Sequence, residues 1–581
     1  MDAMNKGLHP VDITVLVGYL IGVTCLGLWM SRRVKSTSDF FMPRHFGPLT
    51  MIMHAFGTGT ASDQAVTVAS GTAQRGLSGI WYQWLWLIPT PFYWLVAPIM
   101  RRFRATTTAD VLTLRFDQSV ASLFAVVGIV SMSVKIGVIL RGAAAVIDAG
   151  TGGFLDTNVA IFAITILFLI YGIAGGLSAA IVTDFVQGIL TIVFSFLLLP
   201  FVMSAVGGMA GVRERITDPT LLSLVAPGKI TTFFVMMMGL QGLIGIVAQP
   251  HIMGVCAAGK TETEGRIGFM VGNLVKRLCT VAWCLTGIAA VAWYLDQGVP
   301  LAEIRTEAFA DRIYGDVAHS FLPKIMPGLL GIFLASLLAA VMSSCDSFMI
   351  CSSALFVENI YKPVKPQQSI KHYLTVSRLT SLIVVAGGVL FAFSVPDVVK
   401  ALELWFKISP MTGIVFWMCL FWRRMTVVGA WATTLTGFAA WWLATRDGFV
   451  QWVDSLATPE SWRLIWEQNG EKVIYEPWQI VFYLSAAAIA GVVASLATKR
   501  VDEDRLERFY SLIRTPIQPN ENYDQPCTLP TDLEIPIRPV GLRIGDLEIP
   551  RPSKTSVIGF VLGTIVSVCL VFLFITFAKS G

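Results

Sequence analysis

The sequence predicts an all-α membrane protein with about fourteen transmembrane helices. Of its 581 residues, 55% are hydrophobic and 14% are charged, and the mean hydropathy is +0.67. Soluble globular domains carry about 25% charged residues, so this composition excludes a cytosolic or secreted enzyme. Apolar runs of about 20 residues, each long enough to cross the hydrocarbon core as a helix, recur along the chain.

We number the candidate spans 1 to 14 in chain order. Short connections between them favour a helix bundle over a β-barrel, whose strands would alternate over about ten residues. The candidate spans cover residues 11–31, 48–72, 79–100, 118–148, 156–175, 181–208, 231–256, 268–296, 325–358, 373–395, 400–422, 426–446, 478–498 and 555–577.

Basic clusters at the ends of the spans predict the orientation of the chain. They follow spans 1, 3, 9 and 11, at residues 32–35, 101–104, 362–365 and 423–424. The positive-inside rule makes their shared side cytoplasmic. We therefore expect a multi-pass protein of the cell membrane (plasma or inner) with both termini outside.

Span 2 is interrupted by polar residues near its middle. Residues 56–64 contain two glycines, three hydroxyl side chains and the carboxylate Asp63. Backbone carbonyls that an interrupted helix leaves free can ligate a cation. A close helix–helix contact through small residues is the alternative, but it does not explain Asp63.

Span 7 has a second interruption, at Gln249-Pro250-His251. An ordinary proline kink is the alternative here. Interrupted spans at matching positions of two repeats mark the binding site of many transporters, and five spans per repeat force an inverted repeat. The predicted organisation is an extra first span (1–31), a first repeat (48–208), a second repeat (231–422), two peripheral spans (426–498), a Pro-rich cytoplasmic linker (499–554) and a final span (555–577).

Other polar residues within spans 4, 6 and 9 indicate ion or solute contacts. Ala340, Ser343, Ser344 and Ser347 share one helical face, and such hard oxygen donors suit an alkali cation. Hydrogen bonding between helices is the alternative for these serines. Lys135 in span 4 either pairs with an acid, such as Asp63 or Asp184, or faces the site and holds a substrate carboxylate.

Two further segments have more than one interpretation. Residues 254–261 match the phosphate-binding loop G-x-x-x-x-G-K-[ST], but the match ends a membrane span instead of joining a strand to a helix. We therefore expect no ATP binding. Residues 499–554 are rich in proline and charge, which predicts extended or irregular chain after a short amphipathic helix at 502–510.

Three motifs resemble the solute:sodium symporter family of sodium-coupled sugar, proline, pantothenate and monocarboxylate carriers. They are residues 36–41, 175–187 and 339–361, and the resemblance covers roughly residues 11–500. It implies the inverted-repeat fold shared with LeuT-type transporters, and Na⁺ as the coupling ion with no organic cofactor.

The resemblance also implies binding residues. The sodium site maps to Gly57, Thr60, Ala340, Ser343 and Ser344, and a second cation site to Asp184, Asp346 and Ser347. Substrate contacts map to Asp63, Gln64, Gln83, Lys135 and Gln241. Sugar carriers usually place an acid where Gln83 stands, and the proline and pantothenate branch often has arginine where Val255 stands, so the substrate stays open.

The expected function is sodium-coupled import of a small polar organic solute by alternating access. Lys135 favours a carboxylate-bearing solute over a sugar, a proline-like amino acid or another neutral solute. The expected partners are this solute, sodium and the lipid bilayer, without nucleic acid, and no enzyme activity is expected. The alternative is a membrane sensor that keeps the transporter fold and signals through the 499–554 linker.

Overall fold

The computed structural model describes residues 8–31, 41–226, 229–395, 397–456, 458–468, 470–518, 521, 525–530 and 537–580. The chain is mostly helical, as predicted. The basic cluster at 32–35 and residues 36–40 of the first family motif lie outside the described residues.

The helices up to residue 215 form the first half of the predicted bundle. They are α1 (Pro10–Ser31), α2 (Pro48–Gly59), α3 (Ser62–Arg75), α4 (Trp81–Trp84), α5 (Thr90–Arg102), α6 (Thr108–Arg115), α7 (Gln118–Gly150), α8 (Thr157–Leu197), α9 (Leu199–Ala205) and α10 (Gly208–Arg215).

The helices of the predicted second repeat follow. They are α11 (Thr232–Ile246), α12 (His251–Ala257), α13 (Glu262–Asp296), α14 (Leu301–Ile304), α15 (Glu307–Ile325), α16 (Leu329–Phe356), α17 (Lys362–Val364), α18 (Ile370–Ser394), α19 (Val398–Phe406) and α20 (Ser409–Phe421).

The remaining elements include two antiparallel hairpins. The helices are α21 (Val427–Ala444), α22 (Asp447–Asp454), α23 (Glu476–Ala497), α24 (Glu503–Arg514) and α25 (Lys554–Ser580). The hairpins pair β1 (Ile465–Gln468) with β2 (Glu471–Ile474), and β3 (Val540–Ile544) with β4 (Leu547–Pro550).

Ten helices of the described chain are long and apolar enough to cross a membrane, and α11 with α12 makes an eleventh if the bent pair is one span. Spans 2 and 3 divide into shorter helices, and the apolar part of span 5 is a shorter helix at Thr157–Ile170. The number of continuous helices long enough to cross a membrane is therefore smaller than the number of apolar runs in the sequence. The count of fourteen stays a prediction.

Both predicted interruptions occur in the structure. Helix α2 ends at Gly59 and α3 begins at Ser62, while α11 and α12 meet at an angle of 71°. A third change of direction lies inside α8, where Gly176 has φ 60° and ψ −168°. This left-handed backbone suits glycine, because other residues would place a Cβ against the adjoining carbonyl.

Close packing holds α2 in the centre of the molecule, against α13, α8 and α16. On α13, Gly268 and Gly272 face α2, and a Cβ on Gly272 would lie 2.8 Å from the Ile52 carbonyl oxygen. Small residues at such positions let two helix backbones approach closely. The interrupted helix is therefore enclosed on several sides by other helices.

The segment 499–554 differs from the extended or irregular chain that its prolines predict. It contains α24 and the β3–β4 hairpin, and α24 buries Leu506, Phe509 and Ile513 against the bundle. The Arg423 guanidinium lies 2.8 Å from Glu548 of the hairpin. The predicted amphipathic helix is present as α24. The β3–β4 hairpin was not predicted, and contacts such as that between Arg423 and Glu548 order this part of a proline-rich chain.

A carboxylate on α15 joins two helices at the end of the molecule that we predict to be outside. Asp311 accepts a hydrogen bond from Ser70 of α3 at 2.6 Å and another from the Val398 backbone N–H, the first residue of α19, at 3.1 Å. Burial raises the pKa of Asp311 to about 6. Its ionisation is therefore unfavourable in the folded protein relative to the unfolded chain.

This raised pKa predicts a pH dependence of stability. Protonated Asp311 contributes stability that is fully present below pH 4 and is lost as the pH rises through about 6. In thermal denaturation, Asp311→Asn should therefore gain stability relative to wild type between pH 4 and 6, by about 2 kcal/mol, and the difference should then level off. Parallel stability curves for the two proteins across this range would contradict the assignment.

Candidate functional site

The break between α2 and α3 leaves two backbone carbonyls outside the helical hydrogen-bond pattern. The Gly57 carbonyl accepts hydrogen bonds from the Ser344 hydroxyl at 3.1 Å and from the Thr60 N–H at 3.2 Å. The Gly59 carbonyl accepts from the Gln64 side-chain amide at 2.7 Å and from the Lys276 ammonium group. Side chains from α3, α13 and α16 thus converge on the break.

The residues predicted to bind sodium lie around this break, between α2 and α16. Ser343 and Ser344 are fully buried on α16, and a Cβ on Gly57 would lie 2.6 Å from the Ser343 hydroxyl oxygen. Ala340 is buried on the same helix, one turn earlier. The Thr60 hydroxyl is buried and has no hydrogen-bond partner among the residues that the structure describes. Hard oxygen atoms of this kind are the ligands that alkali cations prefer.

The residues predicted for a second cation lie next to this group. The Asp184 carboxylate accepts a hydrogen bond from the Ser343 hydroxyl, and its other oxygen lies 2.6 Å from Nδ1 of His54. The Ser347 hydroxyl lies 3.0 Å from that of Thr58, and Asp346 is also buried. Sequence reasoning missed His54, although a histidine within a span is itself a signal of a polar site.

A central cavity opens beside the break, where about 600 Å³ is free of protein atoms when the adjoining open space is included. Of the predicted substrate contacts, Gln64, Gln83 and Lys135 line it. Gln241 lines an adjoining smaller cavity, where it donates to the Phe406 carbonyl at 2.7 Å. Asp63 is fully buried behind Lys135 and does not line either cavity.

Lys135 forms an ion pair with Asp63, which is one of the two roles that its position in the sequence suggested. Its ammonium group lies 2.7 Å from the Asp63 carboxylate and 4.6 Å from the centre of the Trp405 ring. The same side chain also lines the cavity, so the structure combines the ion pair with a position at the cavity wall. The role of Lys135 as a substrate contact stays a prediction.

Lys276 is a cavity residue that sequence reasoning missed. It lines the cavity from α13 and is 7% exposed, and Arg277 beside it is fully buried. Within the described part of the chain, neither side chain forms an ion pair with a carboxylate. A buried cation usually has a partner or faces a polar cavity. A basic residue inside span 8 is therefore the sequence feature that could have predicted a cavity position for Lys276.

Several polar atoms at the cavity are buried and have no hydrogen-bond partner in the described part of the chain. They are Oε1 of Gln64, Oε1 of Gln83 and Nδ1 of His251. Aromatic rings of Trp86, Tyr93 and Phe348 form other parts of the wall. A pocket of this kind suits a small solute with both apolar surface and hydrogen-bonding groups, since unpaired buried polar groups are costly.

Two sequence motifs have structural roles away from the cavity. In the 254–261 segment, α12 stands where the phosphate-binding loop would need a strand, and Thr261 caps α13 by exchanging hydrogen bonds with Glu264. In the 339–361 motif, the Asn359 side chain accepts from the Thr107 hydroxyl at 2.8 Å and donates to Asp110 at 2.7 Å. Asn359 therefore fixes the end of span 9 to the loop after span 3.

A helical bundle with two interrupted helices, a buried oxygen cluster and a central cavity defines a cation-coupled secondary transporter. The model of the sodium:solute symporter family matches residues 40–437. The chain belongs to this family, and it carries out sodium-coupled transport of a small solute.

Individual relatives are similar over most of their length, and each is named as a transporter. The sodium/pantothenate symporter of Haemophilus influenzae is 26% identical over 500 residues, covering 81% of this chain and 98% of that protein. The osmoregulated proline transporter OpuE of Bacillus subtilis is 24% identical, covering 84% and 96%. The human sodium/myo-inositol cotransporter 2 is 25% identical, covering 75% and 70%.

A solved structure shares the fold. It is a substrate-bound, outward-open Na⁺-coupled sialic acid symporter, with a TM-score of 0.70 and 18% identity, covering 85% of this chain and 99% of that one. The predicted inverted-repeat, LeuT-like fold is confirmed by this likeness. The assignment of individual binding residues stays a prediction.

The Asp63–Lys135 pair gives a prediction about stability. Asp63→Asn should destabilise the protein by about 3–5 kcal/mol, because it leaves the Lys135 charge buried and unpaired. Adding Lys135→Met should restore much of this loss, since both charges are then absent. A double-mutant cycle by thermal denaturation measures the coupling, and simple additivity of the two single changes would contradict the pair.

Proposed function

We propose that the chain imports a small carboxylate-bearing solute together with Na⁺, using the α2–α3 break as the shared binding region. The contact between the Ser344 hydroxyl and the Gly57 carbonyl carries this proposal, because it brings the two halves of a cation site together across separate repeats. The proposed sodium ligands are Gly57, Thr60, Ala340, Ser343 and Ser344, with Ala340 and Gly57 contributing carbonyl oxygens.

Electrostatics support sodium at this position. The Asp184 carboxylate lies on the same side of the break and shares Ser343 with the proposed site. A cation beside a buried carboxylate recovers part of the cost of burying each charge. In alternating access, sodium binding stabilises the state open to the outside, and solute binding then permits the change to the state open to the cytoplasm.

The charges around the cavity support a solute with a carboxylate. Asp63 balances Lys135, which leaves Lys276 and Arg277 as an excess of positive charge on α13. We propose that Lys276, in place of Lys135, holds the solute carboxylate. Pantothenate, proline and sialic acid, which the names of similar proteins specify, each carry one, whereas myo-inositol does not.

The proposal also includes the orientation of the chain in the membrane and the source of the free energy for transport. The basic clusters place residues 101–104 and 423–424 in the cytoplasm, with both termini outside the cell membrane. The electrochemical gradient of sodium supplies the free energy, about 2.3 kcal/mol for each charge that moves through 100 mV. The cycle then needs no covalent chemistry, ATP or organic cofactor.

The sodium site predicts the effect of one hydroxyl. Ser344→Ala should raise the sodium concentration needed for half-maximal stabilisation about tenfold or more, because it removes a cation ligand. Thermal denaturation in NaCl, compared with choline chloride at equal ionic strength, measures this concentration. The matched control is Ser352→Ala, which removes a buried hydroxyl of the same helix that donates to the Phe348 carbonyl. Equal sodium responses in both variants would exclude Ser344 as a ligand.

The proposed role of Lys276 predicts which solutes bind. Wild type should be stabilised by a carboxylate-bearing solute more than by an analogue in which an uncharged group replaces the carboxylate, for example by pantothenate over panthenol or by proline over prolinamide. Lys276→Gln should lose this preference, and Lys276→Arg should keep part of it, since the positive charge remains. Thermal denaturation in sodium with each solute pair measures the preference. A Lys276→Gln variant that still distinguishes acid from neutral analogue would contradict this role.

A further inference from the structure

His54 lies at the centre of a buried polar chain that joins the two predicted cation sites. It is on α2, one turn before Thr58, and only 1% of the residue is exposed. Its Nδ1 atom lies 2.6 Å from Oδ2 of Asp184 and 3.2 Å from the Thr58 hydroxyl oxygen. The imidazole therefore contacts the oxygen groups of the second site directly.

The other oxygen atoms of this chain are also hydrogen bonded. The second oxygen of Asp184 accepts from Ser343, and the Thr58 hydroxyl lies 3.0 Å from that of Ser347. Asp184, Thr58 and Ser347 are each at most 1% exposed. Both oxygens of Asp184 therefore already have partners from the protein.

A sodium ion needs several oxygen ligands around it and must lose its own water to enter a buried site. To bind Asp184 and Ser347 it would have to displace the imidazole from the carboxylate. An N–H group directed at Asp184 already provides the positive end of a dipole there, as a cation would. The negative charge of Asp184 then balances the positive charge of one sodium ion, the ion proposed to bind beside Ser343.

We propose that His54 takes the place of a second cation, so that one sodium ion binds per transport cycle. This inference rests on the sodium site proposed above and adds its stoichiometry. His54 is a positioning residue, because it acts on the bound ion through Asp184 and is not itself a ligand. Its substitution should therefore change the number of ions bound.

Saturation binding of sodium-22 to the purified full-length protein tests the inference without knowledge of the solute. Wild type should bind one ion per protein. His54→Ala removes the N–H donor and opens space beside Asp184, so it should bind two ions, about a twofold rise in capacity. His54→Gln keeps a side-chain N–H and should stay at one.

A second histidine provides the control. His319 on α15 lies 3.0 Å from the Gly150 carbonyl oxygen, away from both cation sites, and His319→Ala should bind one ion. Two ions on wild type, or one on a folded His54→Ala variant, would overturn the inference and leave the sodium site standing. No saturable binding to wild type would overturn the proposed sodium site and this inference with it. If His54→Ala does not fold, the wild-type capacity decides alone.

Discussion

The constraint on which the rest of this structure depends is the interruption of a helix inside the hydrocarbon region. A break there exposes backbone carbonyls where no lipid can hydrogen bond to them, so other parts of the protein must do so. Ser344, Lys276 and Gln64 contact the carbonyls of Gly57 and Gly59. The same contacts bring together α2, α3, α13 and α16, and with them the cation ligands and the solute cavity.

Charge balance then divides this region into parts with different roles. Asp63 is matched by the charge of Lys135, whereas Asp184 is hydrogen bonded by His54 and Ser343 without an ion pair to a lysine or arginine among the described residues. Lys276 contacts only a backbone carbonyl among the described residues. Because unbalanced charge is costly in a buried site, this distribution supports the proposed cation beside Ser343 and the proposed solute carboxylate beside Lys276.

Much of this arrangement follows from the sequence, because polar residues inside apolar spans are unusual enough to stand out. The breaks at 56–64 and 249–251 were predicted in this way, as was the serine face of span 9. The partner of Lys135 could not be chosen between Asp63 and Asp184, since that choice depends on how α7 packs against α3 and α8. In the 499–554 segment the amphipathic helix α24 was predicted, but the β3–β4 hairpin was missed, because its contact with Arg423 joins residues far apart in the sequence.

The most direct test of sodium-coupled transport is solute uptake into proteoliposomes that contain the purified protein, with pantothenate and proline as the probes. An inward sodium gradient should drive transient accumulation of at least one probe above its external concentration, and an inside-negative potential should increase it. A potassium gradient of the same size should not. Equal uptake under sodium and potassium gradients would contradict coupling through the α2–α16 site.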